Sequence, residues 1–289
     1  MGSKSNKNRK TNNNKGTTKK SNKVTKGTEL KKIVKNKNFK WAVIFSVIIV
    51  VIVVIAAVYP YIAPFSAPSS IKPGKYYEIS NKDLLNNGSS AVFFISWYGC
   101  PIGATDSWPL YLTMNKTTDI SSHVRYNTAD PTDIYGNGSV GQPGLLFNGN
   151  FTFKNNGTVF SFHPLYMFNK TMTGTVKNKT IPETLVSYGL SLINSTYPSN
   201  VAKMFNKYAT SITFSGHLTT TFIITGPHGT YIFNTFMYQP GNELGTGTWS
   251  STHNTYRPFT PQYVMSNLKT DSSIDGAAST FSSYLGKAK

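Results

Sequence analysis

Cysteine is nearly missing from the 289-residue chain: Cys100 stands alone. That excludes an internal disulfide framework and any metal site built from several thiolates. Histidine is scarce as well, five residues with no close pair, so a histidine-built metal centre is not expected. Acidic residues are few, 11 against 29 basic ones, but the imbalance is local. Residues 1–40 hold 14 Lys and Arg and a single acid, Glu29, whereas the rest of the chain holds 15 basic and 10 acidic residues. The net charge of +18 therefore belongs mostly to one short segment and does not mark the whole chain as a nucleic-acid binder. No metal, no cofactor and no nucleic acid is expected as a ligand.

Residues 1–40 also lack apolar content, so they cannot bury enough surface to offset chain entropy; a disordered, basic tail is expected there. The opposite holds for Trp41 to Ala63, where charge is absent over 23 residues, enough for one helix across a hydrocarbon core of about 30 Å. Trp41 at one end and Tyr59 and Tyr61 at the other fit interfacial positions. Five lysines between Lys31 and Lys40 precede this segment, while Lys72 and Lys75 are the nearest cations after it. The positive-inside rule then puts the N-terminus in the cytoplasm and the main domain outside, with the segment kept as a signal anchor in the cell membrane. Residues 64–75, with Pro64, Pro68 and Pro73, read as a stiff spacer, and 76–289 as the extracytoplasmic domain. Eight N-glycosylation sequons, at Asn87, Asn115, Asn137, Asn150, Asn156, Asn169, Asn178 and Asn194, all follow the apolar segment. The tail has eight asparagines and no sequon, which agrees with the charge argument and predicts a surface glycoprotein.

Within the outer domain, Ala91 to Ser96 is a short apolar run that predicts a buried strand. It leads into Trp97-Tyr98-Gly99-Cys100-Pro101-Ile102-Gly103 and then a helical stretch from Ala104 to Met114, with Pro101 suited to the first turn and Pro109 to a kink. Cys100 is thereby expected at a helix N-terminus, where backbone N–H groups and the dipole favour a thiolate and lower a thiol's pKa. Phe151 to Phe162 predicts a hairpin around Asn156-Gly157, Leu218 to Tyr238 a second around Gly226–Gly229, and 182–209 two helices broken at Pro198. Residues 239–258 read as loop, and the C-terminal stretches Pro261–Leu268 and Ile274–Leu285 as helix. Gly136 to Gly141 matches G-x-G-x-x-G but opens no helix, because Pro143 follows, so it is not read as a dinucleotide site.

A strand running into Trp97-Tyr-Gly-Cys-Pro-Ile-Gly103 resembles the active-site turn of thioredoxin-fold proteins, in the Cys-Pro-x-Cys form of disulfide oxidoreductases. Ser139-Val-Gly-Gln-Pro143-Gly-Leu-Leu-Phe-Asn-Gly149 resembles that fold's second signature, a cis-proline before an apolar strand. The resemblance implies an α/β (α+β) thioredoxin-like domain with an extra hairpin and a helical insertion. It also implies Cys100 as nucleophile, Pro143 as a cis-proline packed against it, and Gln142 presenting its backbone to a bound thiol or peptide. Trp97 and Pro101 would flank the thiol. The chain departs from the pattern at Gly103, which stands where the resolving cysteine would be, so at most monothiol exchange with an outside thiol is implied. The run Phe94 to Trp108, together with the tail, the apolar segment and the sequons, is similar to surface proteins of Sulfolobus-type archaea grouped as domain of unknown function 929. The expectation is a non-enzymatic protein with a thiol-bearing or peptide partner at the cell surface; if it were an enzyme, its chemistry would be monothiol exchange. The alternative is a structural surface glycoprotein or a pilin-like filament subunit.

Overall fold

The computed structural model describes residues 37–62, 65–132, 141–238, 248–250, 255–257 and 260–289. Residues 1–36 of the basic tail, the sequon Asn137, the glycine motif and most of the 239–258 segment lie outside the described residues. The chain divides into two compact units, Met1–Pro64 and Phe65–Lys289.

In the first unit α1 spans Lys37–Ile62. Every residue from Phe39 to Val58 is exposed, although nearly all are apolar. A helix apolar all round and unburied is suited to hydrocarbon, not water. It is the single helix among the described residues long and apolar enough to cross a membrane.

The second unit is a mixed α/β domain. A six-stranded sheet has the order β1-β10-β9-β2-β6-β5. The strands are β1 Tyr77–Ser80, β2 Ser90–Ser96, β5 Phe151–Asn155, β6 Thr158–Tyr166, β9 Thr221–Gly226 and β10 Gly229–Asn234. β2 pairs in parallel with β6 and antiparallel with β9, and the remaining pairs are antiparallel. All seven residues of β2 are buried, because the strand is central and covered on both faces. Its period-2 alternation divides the core: Val92 and Phe94 join one cluster, and Ala91, Phe93 and Ile95 the other.

Helix α2 (Pro101–Met114) connects β2 to the rest of the domain and packs with α6 (Ser272–Ala288) on the Val92 face, through Trp108, Leu110, Met114, Phe281 and Leu285. Helices α3 (Leu185–Thr196) and α4 (Ser199–Lys207) supply Ile193, Val201 and Phe205 to the opposite face. Pro198 separates them as the N-cap of α4. These two helices lie between β6 and β9 in the chain and cover the Phe93 face of the sheet. Both expected hairpins form, and Asn156 (φ 47°) and Gly157 (φ 82°) give the β5–β6 turn the two positive φ values that a tight hairpin needs.

Smaller elements complete the unit. β3 (Val124–Thr128) pairs with β4 (Pro143–Phe147), β7 (Thr213–Phe214) with β8 (His217–Leu218), and β11 (Thr248–Ser250) with β12 (Thr255–Arg257). α5 spans Pro261–Asn267, and two short 3-10 turns cover Ser121–His123 and Ala209–Ile212. Pro109 lies inside α2 and offers no N–H to the carbonyl of Thr105; the hydroxyl of Tyr238 donates to that carbonyl instead, at 3.4 Å. Thr113 Oγ1 returns a hydrogen bond to the carbonyl of Pro109 at 2.9 Å, so the proline is accommodated without breaking the helix.

Candidate functional site

Cys100 is the N-cap of α2, with extended backbone (φ −64°, ψ 119°), and Pro101 occupies the first turn as expected. The thiol accepts from the N–H of Gly103 at 3.4 Å and lies 3.0 Å from Thr220 Oγ1. Thr220 Oγ1 is in turn 2.8 Å from Ser96 Oγ. Ser96 ends β2 and Thr220 immediately precedes β9, so the two neighbouring central strands deliver a hydroxyl chain to the sulfur. Three protons serve three heavy atoms, and a neutral thiol is fully satisfied there.

The turn is closed from above as well. Tyr98 N donates to Phe168 O at 3.2 Å, and Asp130 N donates to Gly99 O at 2.8 Å. A Cβ on Gly99 would run into the carbonyl of Lys170, so glycine is what lets the 167–170 segment close over the turn. Cys100 is 3% exposed and Trp97 1%. The ring of His217 meets that of Trp97 edge-on at 5.9 Å. Burial pushes the Cys100 thiol up, and the bonds from Thr220, Gly103 and Ser96 offset this only in part. The expected lowering is thus corrected: the helix N-terminus is present, but desolvation of the thiolate outweighs it.

Pro143 and Gln142 are also corrected. No peptide bond among the described residues is cis, including that before Pro143. Pro143 opens β4, pairs with Thr128, and accepts from Trp108 Nε1 at 2.9 Å. The adjoining Gly144 sits against the backbone of Ala104, where any side chain would collide. β4 therefore braces the second and third turns of α2, and the hydrogen bonds of Cys100 go to Thr220 and Gly103. The carbonyl of Gln142 accepts from Ala129 N at 2.8 Å, and its Oε1 accepts from Thr105 Oγ1 at 2.6 Å, so neither is turned to a guest. The residue opposite the thiol is Thr220. Its signal in the sequence was the run Leu218-Thr-Thr-Thr-Phe-Ile-Ile224, a polar triplet leading into an apolar strand.

At Gly103 a Cβ would run into Ser96 Oγ and lie 3.1 Å from Thr220 Oγ1. The space of a second thiol is thus filled by the hydroxyl of Ser96. A concavity of about 810 Å³ lies elsewhere, lined in part by Asn115, Lys116, Lys154, Asn156 and Lys269 and by none of the groups around Cys100. Of the sequon asparagines, Asn87, Asn150, Asn156, Asn178 and Asn194 are exposed. Asn115 and Asn169 are half-buried and tied by hydrogen bonds to Ile120 N (2.9 Å) and Asn178 Oδ1 (3.0 Å).

Residues 75–287 match the family model described as Domain of unknown function (DUF929). The chain belongs to that family. No curated protein and no solved structure gives a match. The family covers the whole sheet and both helical layers, so the Cys100 turn lies within it and α1 outside.

Proposed function

We propose that this DUF929 protein is a single-pass surface glycoprotein, of the archaeal kind it resembles, whose outer domain is a thioredoxin-like scaffold with a sealed, non-catalytic thiol. The sheet supports the scaffold reading. A parallel β2–α2–β6 unit is flanked on the other edge of β2 by the antiparallel β9–β10 hairpin, with α6 after it. The cysteine stands at the N-cap of α2 and faces the residue that leads into β9, as in the resembling turn. Thr220 holds that position in place of a proline. The observation that carries the non-catalytic reading is the 3% exposure of Cys100 within a hydroxyl chain that satisfies it in the neutral form. A buried neutral thiol is a poor nucleophile and a good packing group.

The apolar, fully exposed α1 supports a membrane anchor, and the sequons support export, with the basic tail inside the cell. A surface protein with no reacting group would act by being bound, through its partner's fit to the folded domain. The test is alkylation of Cys100 in the native full chain at pH 8, against the same chain in denaturant. Native protection for hours with prompt reaction on unfolding is expected. Rapid modification of the folded protein, with its structure retained, would favour monothiol exchange instead.

A further inference from the structure

Asp106 is the one carboxyl among the described residues with no exposed surface at all. It lies on α2, pointing into the aromatic layer that the helix shares with α6. Its Oδ1 accepts from the backbone N–H of Met237 at 2.8 Å. Its Oδ2 is buried and, among the described residues, has no hydrogen-bond partner. The hydroxyl of Tyr76, just before β1, is likewise buried without a partner. Burial is the main cause that raises the Tyr76 phenol, and the charge of Asp106 adds to it.

Among the described residues, the surroundings offer nothing to balance a negative charge. The Tyr76 ring stacks on Tyr284 of α6 at 3.9 Å and packs on Phe233 and Phe222 at 4.5 and 5.8 Å. From the 235–238 segment come the Met237 amide and Tyr238, whose hydroxyl donates to the Thr105 carbonyl. β4 carries no titratable side chain. Arg125 of β3 lies over the ring of Tyr98, and Lys287 of α6 over the ring of Tyr284, at 5.1 and 4.1 Å from the centroids. β9 contributes no titratable side chain, and the Tyr231 ring of β10 packs on Tyr284 at 5.3 Å. An ionised carboxylate in such a place is a buried charge answered by one amide, which is strongly unfavourable. A carboxylic acid is different: it keeps the Met237 bond on one oxygen and carries no charge on the other, so the apolar wall no longer has to hold an ion.

We propose that Asp106 is a proton-held latch: α2 is fastened to the 235–238 segment by a neutral carboxylic acid, so the domain is most stable in acid and less stable as its medium becomes less acidic. The sign follows from linkage. An unfolded Asp releases its proton near pH 3.9, while the buried one retains it to higher pH. Between those values the folded state holds the extra proton, and stability falls as pH rises. The contribution is complete below the unfolded value and is lost as pH climbs towards the folded one. Burial is the main cause of the raised pKa, with the Met237 N–H opposing it. Cys100 is uncovered when the domain unfolds, and the free energy of unfolding carries the Asp106 contribution, so the chain has its own reporter.

The experiment uses the full chain in detergent between pH 4 and 7. Cys100 is labelled with an aromatic disulfide reagent, and each rate is divided by the rate in denaturant at the same pH, which removes the intrinsic thiol term. Asp106→Asn is measured in parallel, because burial lowers the pKa of half-buried His163, which acts with the opposite sign and must cancel. The opening ratio of wild type to variant should rise by up to tenfold per pH unit above pH 4. Equal slopes in the two proteins would overturn the latch, since the carboxyl would then be ionised and paired. If Asp106→Asn does not fold, infrared spectra of the wild type decide. A carbonyl band of a protonated carboxylic acid persisting at pH 6 in the folded chain and vanishing on unfolding is expected; its absence from the folded chain overturns the proposal.

Discussion

Two buried titratable groups sit six residues apart on α2, and they are treated in opposite ways. Cys100, at the helix start, meets the hydroxyls of Thr220 and Ser96 and the N–H of Gly103. Asp106, nearly two turns on, meets one amide and keeps an unanswered oxygen, in a layer where the hydroxyl of Tyr76 is unanswered too. The first arrangement uses polar groups as cement, and the thiol and both hydroxyls each have a partner. The second tolerates a polar pair in an aromatic wall at a cost that depends on protonation. Removing a partner from the first should hurt, whereas removing the orphan from the second should not.

The largest effect should come from the helix that carries both sites. Trp108 is fully buried, and its Nε1 bonds the Pro143 carbonyl. Trp108→Ala should cost about 3–5 kcal/mol in chemical denaturation, and should expose Cys100 to alkylation and remove the acid optimum together. If one readout moves without the other, the two sites are not fastened by the same helix face. Next in size is Gly144→Ala, which forces β4 off the backbone of Ala104 and should cost about 1–3 kcal/mol. It should speed thiol labelling less than Trp108→Ala does.

The comparison itself is sharpest in two isosteric substitutions. Thr220→Val removes the hydroxyl between Ser96 and Cys100 and should destabilise by about 1–2 kcal/mol, because it leaves two buried polar groups short of a partner. Tyr76→Phe removes a hydroxyl that has no partner and should change stability by less than about 0.5 kcal/mol, or raise it. Thermal melts of both variants at pH 5 would measure this, and a larger loss for Tyr76→Phe than for Thr220→Val would invert the contrast.

Much of this architecture was legible in the residues. The uncharged run after Lys40, the apolar β2 run and Pro101 each fixed one element through a local rule. So did Asn156-Gly157 and the break at Pro198. What stayed hidden depends on pairing across the chain. Pro143 and Thr220 each precede a strand with apolar residues, and only the sheet order decides which strand lies beside β2; β9 does, and β4 lies outside the main sheet. The thiol's environment was misjudged for the same reason. A helix N-terminus is visible in the sequence, but the segments at 128–130 and 167–170 that bury it come from far along the chain. Asp106 is the lone charged residue in an otherwise uncharged helix, a pattern that signals a buried or partnered carboxyl.

One variant directly tests the proposed thioredoxin-like geometry of the Cys100 turn, in which Ser96 fills the second thiol position. Gly103→Cys alone should fold poorly, since the new Cβ meets Ser96 Oγ. Ser96→Ala with Gly103→Cys clears that oxygen and places two cysteines at a helix N-cap and three residues on, within the reach of a disulfide. Thiol counting on the oxidised, folded full chain should find no free thiol, and both should return on reduction. A folded double variant that keeps two free thiols under the same oxidation would contradict the geometry assigned to the turn.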